Sequence, residues 1–175
     1  MIIRCTKKAR KRLHLKPSDL SSISADNTEM KEWYCNVAVL QRRPYFLLTH
    51  GITLFAFWMP LAGNTAIEDF SKKMREYALS AFRTAGISGW GIFQVLDDEK
   101  DLFAKTADRR VVGSMVDYVK ISKFQLEYRG GMQYLPLESL NCYLNDMPMS
   151  MLGMSSPQRE FFNLTGEEEE DENQS

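Results

Sequence analysis

Histidine is scarce in this chain, with two among 175 residues, and cysteine scarcer than a disulfide scaffold needs, with three. Cys5, Cys35 and Cys142 are odd in number and widely spaced, which excludes a disulfide framework. Each has apolar or aromatic neighbours, so they are read as buried reduced thiols, consistent with a reducing cytoplasm. With only His14 and His50 available, a Ser-His or Cys-His pair would have to use one of them, and nothing in the spacing points to either. His50 is read as a turn residue. No zinc-ligand spacing, phosphate-cradling glycine-lysine loop or dinucleotide glycine pattern occurs, so no metal or cofactor is expected.

Long apolar runs are also missing. The best, near 52–62, is broken by Pro60 and falls far short of the roughly 20 residues of a spanning helix. The basic start of the chain is followed by no apolar segment of the signal-peptide kind, so no membrane contact is expected. Basic residues are absent after Arg159, where seven acidic ones follow; residues 1–159 then hold 22 basic and 16 acidic side chains, a net of +6. The expected organisation is one globular domain over 1–159 and an acidic, disordered tail over 160–175. A chain of this length buries about 70% of its unfolded surface and needs no covalent staple.

What is present has the patterning of an α+β domain: a mixed or mainly antiparallel sheet of about five or six strands packed on two long helices. MIIRC reads as a first strand. Thr6 can cap a helix running to His14, with Ala9 and Leu13 on one face. Lys7, Lys8, Arg10, Lys11 and Arg12 fill the remainder of that helix, either as a solvated face or as a contact for nucleic acid. No aromatic residue is interleaved there to stack on bases. Residues 16–31 are polar and read as a surface loop long enough to act as a flap. Residues 33–40, 45–49 and 53–58 form a three-strand meander with apolar residues on both faces. A second face left uncovered by the chain itself would make a homodimer.

Ile67, Phe70, Met74, Tyr77, Ala78, Ala81 and Phe82 repeat at helical spacing, and Thr65–Glu68 fits a capping box, so 65–85 is a helix. Residues 89–96 read as a strand, 97–101 as an acidic hairpin turn, and 102–105 as the returning strand. Asp108 can cap a long helix to Tyr128, with Val112, Met115, Val116, Val119 and Leu126 as its apolar face. Arg110, Gly113, Ser114 and Asp117 fall on another face. Gly113 inside a helix implies close approach of some other group. Residues 137–145 read as a short helix.

The densest set of polar groups with a plausible task is Lys105, Thr106, Arg109, Arg110, Ser114 and Asp117. The turn before the long helix is a candidate anion site for phosphate, carboxylate or a nucleic-acid backbone. Three functions follow. The preferred one is a non-enzymatic cytoplasmic binding or regulatory protein that meets a protein partner or an anionic ligand through 105–117. The second is a nucleic-acid binder using the basic first helix, with the acidic tail as a gate. The third is a small hydrolase or transferase with a carboxylate or Ser114 site; Ser114 does not sit in a G-x-S-x-G elbow.

MIIRCTKK, WYCNVAVL with QRRPYFLLTH, AKTADRRVVGSMVDY and LNDMPMSMLG together resemble a family of small bacterial proteins of unknown function, over about residues 1–157. The resemblance implies no activity, cofactor or catalytic residue. The acidic run after Gly166 departs from its pattern.

Overall fold

Four buried residues, Ile2–Cys5, form β1, the strand on which the sheet is built. The computed structural model describes residues 1–23, 30–61, 63, 66–87, 89–96 and 101–166. The other strands are β2 (Glu32–Leu40), β3 (Arg43–His50), β4 (Ala56–Pro60) and β5 (Leu102–Lys105). Their order is β4-β3-β2-β1-β5. β1 pairs in parallel with both β2 and β5, whereas β2, β3 and β4 form the antiparallel meander. The sheet is thus mixed, with five strands, as the sequence leads one to expect. Among the described residues six α-helices accompany it: α1 (Lys7–Arg12), α2 (Ile67–Thr84), α3 (Trp90–Val95), α4 (Arg109–Tyr128), α5 (Leu137–Asp146) and α6 (Pro157–Thr165).

Strand alternation divides the core into two. On one face Ile3, Cys5, Trp33, Cys35, Phe46 and Phe57 pack with Ala9 and Leu13 of the α1 segment and with the apolar stripe of α2. On the other, Tyr34, Leu47 and Trp58 pack with Met115, Tyr118 and Leu126 of α4 and Leu140 and Leu144 of α5. The meander is covered on both faces by the chain's own helices. Its open edge is closed as well: Asn145 Oδ1 accepts from Ala56 N at 2.7 Å and Asn141 Oδ1 from Trp58 N at 2.9 Å. Asn145 Nδ2 donates to the Ala56 carbonyl at 2.7 Å. Two amides one turn apart on α5 thereby take the place of a neighbouring strand.

Several local expectations are corrected. Residues 90–95 are helical, not a strand. Ile92, Val95 and Leu96 share one side of a short helix, and Trp33 Nε1 donates to the Val95 carbonyl at 3.0 Å. β5 has no hairpin partner because β1 takes one edge and Leu20 bridges to Phe103 on the other, with Ser21 N donating to the Phe103 carbonyl at 2.7 Å. Of the acidic turn, 97–100 lie outside the described residues. Asp101 is no solvated turn residue, since its carboxylate is buried and takes both Arg75 Nη1 (3.0 Å) and Nη2 (2.7 Å). α2 has Ala66 as N-cap with no side-chain cap, and Thr65 lies outside the described residues. The central part of the expected flap, 24–29, also lies outside them, as does the acidic run 167–172.

Residues 160–165, expected to belong to the tail, are helical. α6 continues to Thr165, capped by Ser156, with Phe161, Phe162 and Thr165 buried. Phe161 packs on Phe82 (4.9 Å between ring centroids), Phe55 (5.3 Å) and His50 (5.9 Å). The acidic composition that follows hides the two phenylalanines that tie this helix down.

α4 is rotated slightly from its expected setting. Its buried stripe is Val111, Ser114, Met115, Tyr118, Ser122 and Leu126, while Val116 is exposed. Two serines lie on the core face; Ser122 Oγ accepts from Trp58 Nε1 at 3.0 Å. Gly113 is exposed, and a Cβ built there meets nothing within 4 Å, so no close approach explains it. Gly113→Ala is therefore expected to stabilise the protein by about 1 kcal/mol in denaturant unfolding.

His50 is not a solvated turn residue. It is fully buried, and the connection around it is longer than expected, running from Gly51 to Phe55 with Leu54 at φ 59°. Nε2 lies 2.8 Å from the Met30 carbonyl and must donate to it, so Nδ1 accepts from the Thr53 hydroxyl at 3.0 Å. Burial lowers the His50 pKa to about 4, with the Met30 hydrogen bond opposing. The unfolded chain takes up a proton near pH 6.5 that the folded one refuses until about pH 4. Stability should fall with decreasing pH across that window, by up to about 1.4 kcal/mol per unit. Urea midpoints measured between pH 7 and 4 should show this slope, and His50→Gln should flatten it while lowering stability throughout.

Candidate functional site

The six residues that the sequence marks out do not converge. Asp117 is exposed on the outer side of α4 and pairs with Lys120 at 3.3 Å. Ser114 points the other way. It is 2% exposed, and its Oγ has no hydrogen-bond partner among the described residues. No imidazole stands beside it, since His50 is occupied in the other half of the core. In this setting Ser114 has neither the exposure nor the neighbouring base of an activated nucleophile.

The anion site expected at the start of α4 is filled by the chain itself. Asp108 caps the helix by accepting from Arg110 N at 2.7 Å, and its Oδ2 takes Arg110 Nη2 at 2.7 Å. Hydrogen bonds and charge from Arg110 hold the Asp108 carboxyl below its ordinary pKa. The positive end of the helix thus already faces a carboxylate. Arg109 remains an exposed cation on the outside of the first turn.

Lys105 and Thr106 have a different setting. They stand at the carboxyl end of β5, beside the end of β1, and line a cleft of about 310 Å³ with Arg4, Leu20, Ser21 and Ser22. β1 is the strand from which the parallel part of the sheet grows in both directions: β2 lies on one side and β5 on the other. In open parallel sheets such a reversal leaves a crevice at the carboxyl ends of the strands, and ligands bind there. The Leu20 bridge to Phe103 brings the two serines to this crevice.

Arg4 lies at its inner side and is 2% exposed. Its Nε is 2.8 Å from Glu32 Oε1, an equally buried carboxylate, and its Nη1 donates to the Lys105 carbonyl at 3.2 Å. The guanidinium is thereby neutralised from β2 and tied to the residue whose ammonium stands at the rim. Tyr34 continues the network, accepting from Asp108 N at 3.0 Å, and burial raises its pKa to about 12. A chain of contacts thus runs from the cleft to the start of α4. Arg4 was missed because it sits in an apolar four-residue run; a lone cation inside such a strand is the signal that could have marked it.

The basic first helix is disposed as its pattern suggests. Ala9 is buried, and Lys7, Lys8, Lys11 and Arg12 are exposed; Arg10 is half-buried. Arg12 Nη2 donates to the Gly63 carbonyl at 2.7 Å, so part of this face is bound to the chain. Among the described residues no group of three or more His, Cys, Asp or Glu side chains could hold a metal, and no helix is long and apolar enough to cross a membrane.

Comparison with curated proteins finds 28% identity over 109 residues to the Ribosomal RNA small subunit methyltransferase H of Borrelia recurrentis (strain A1). The match takes in 59% of this chain and 35% of that protein, so the chain spans about a third of the relative's length. The family match covers almost the whole domain and includes Arg4, both serines of the cleft, Lys105 and Thr106: over residues 2–160 the chain fits the family described as "Domain of unknown function (DUF6933)", and it belongs to that family.

Proposed function

We propose that this is a non-enzymatic cytoplasmic binding protein whose ligand carries a phosphate or comparable anionic group, held in the cleft between the ends of β1 and β5. The observation that carries the reading is the meeting of Arg4, Lys105, Thr106, Ser21 and Ser22 in one cleft at the point where the strand order reverses. The lining supplies the exposed Lys105 ammonium, three hydroxyls and the guanidinium of Arg4, whose charge Glu32 already balances, a donor set suited to phosphoryl oxygens. Among the described lining residues there is no carboxylate or imidazole to act as a base, which favours binding over catalysis. Compared with the surface expected from sequence, the site keeps Lys105 and Thr106 and exchanges the α4 residues for Arg4 and the two serines.

A second reading, nucleic-acid binding through Lys7, Lys8, Lys11 and Arg12, is favoured by one observation: the curated relative is named for acting on ribosomal RNA. The first reading accounts for more of the buried geometry.

Full-length protein should be titrated with inorganic phosphate, pyrophosphate and ATP, following the melting temperature and the heat of binding. At about a hundredfold excess over Kd, the expected stabilisation is roughly 2.7 kcal/mol, or several degrees in Tm. Lys105→Ala, an exposed substitution, should weaken binding about tenfold or more without lowering the Tm of the free protein. If none of the three anions raises the Tm, or if Lys105→Ala binds as tightly as wild type, the cleft is not an anion site.

A further inference from the structure

The outer face of the last turns of α4 carries exposed rings. Phe124 is 63% and Tyr128 74% exposed, and their rings are stacked with centroids 6.1 Å apart and planes 10° from parallel. Tyr134, 71% exposed, has its ring against Gly130, where a Cβ would lie 3.2 Å from the ring edge. Charged groups adjoin these rings in the chain. Lys120 and Lys123 precede Phe124, Glu127 precedes Tyr128, and the Arg129 guanidinium lies 6.0 Å from the Tyr128 ring centroid.

The β2–β3 hairpin tip is docked onto the same corner under backbone strain. Gln41 and Arg42 both have positive φ, 45° and 67°, in a two-residue turn closed by the Leu40–Arg43 pair. Such turns favour Asn or Gly, and a larger residue is held there only by its surroundings. Here Gln41 Oε1 accepts from Met132 N at 3.0 Å, and the amide fills the place that a Cβ on Gly131 would occupy. The strained tip thus presents Arg42 and Arg43 beside the end of α4. Arg43 lines a hollow of about 400 Å³ with Gln41, Tyr45, Gly131, Met132 and Gln133.

We propose that this corner is a binding surface for single-stranded nucleic acid. Phe124, Tyr128 and Tyr134 would stack on bases. Lys120, Lys123, Arg129, Arg42 and Arg43 would meet phosphates and outnumber the two carboxylates nearby, Asp117 and Glu127. Stacking on exposed rings set among cations is how sequence-tolerant single-strand binders work. A protein partner fits less well, because the cores of protein interfaces are depleted in lysine, and Lys120 and Lys123 stand just before these rings. The surface is distinct from the cleft and from the first helix, and each can stand without the other.

The test is fluorescence anisotropy of full-length protein with labelled oligo-U and oligo-dT of about 15 nucleotides and a duplex of the same length, at about 50 and 200 mM salt. Both single strands should bind, the duplex more weakly, and affinity should fall with salt. The Phe124→Ala/Tyr128→Ala double variant should lose roughly tenfold or more. Arg42→Gly removes a charge and relieves the positive φ, so it should weaken binding while the Tm holds or rises, separating contact from folding. The proposal is overturned if the wild type binds neither strand at low salt or if the double variant binds unchanged. It also fails if only substitutions of Lys7, Lys8 and Lys11 reduce binding, which would place the contact on the first helix. A concentration-dependent dimer abolished by the double variant, with no oligonucleotide binding, would assign the face to a second copy of the chain.

Discussion

The contact between Arg4 and Glu32 constrains the architecture more than any other polar interaction. Both groups are buried, and removing either would leave an uncompensated charge in the interior, a defect that typically costs about 3–5 kcal/mol. The pair spans β1 and β2, while Arg4 also binds the carbonyl at the end of β5. One side chain on β1, the strand between the two, therefore ties both parallel neighbours to it. This cation also lines the candidate anion cleft, so one side chain both ties the strands together and shapes the cleft.

The two halves of the core are built differently. The α2 side is almost wholly apolar and aromatic, with the His50 ring enclosed between Trp33 and Phe161. The α4–α5 side uses directed polar contacts within an apolar setting. Trp58 donates to Ser122, Tyr118 donates to the Leu54 carbonyl at 2.9 Å, and the α5 amides bind β4. Each of these bonds fixes the rotation of a helix against the sheet, which apolar packing alone does loosely. α4 therefore has a defined orientation, and its opposite face projects Phe124 and Tyr128 outward in a fixed geometry.

Much of the scaffold could be read from residue patterns. The α2 stripe is periodic over four turns, and the meander strands are bounded by turn residues, so both follow from spacing. The stretch 89–96 is apolar but too short for period to separate helix from strand, and tertiary context decided it. Ser114 and Ser122 show why the face of α4 was set wrongly. Serine reads as outward-facing, and the indole that satisfies Ser122 lies 64 residues away in the chain. The candidate cleft was half legible. Lys105 and Thr106 stand out in a polar turn, but Arg4 and the two serines join them only through the parallel pairing of β1 and the Leu20 bridge. The i, i+4 amides Asn141 and Asn145 were visible in an otherwise apolar helix, yet their role depends on which strand ends the sheet.

Those two asparagines have a consequence for self-assembly. An exposed outer strand is a template on which a foreign peptide or another copy of the chain can be added, since its amides and carbonyls stand ready to pair. At β4 the outward groups of residues 56 and 58 are already engaged, and at β5 the Phe103 carbonyl is taken by Ser21. These contacts occupy part of the pairing groups at both ends of the sheet and so oppose strand addition there. A partner of this domain would then have to be met by side chains in clefts and on helix faces, where specificity is set by individual residues and not by the backbone.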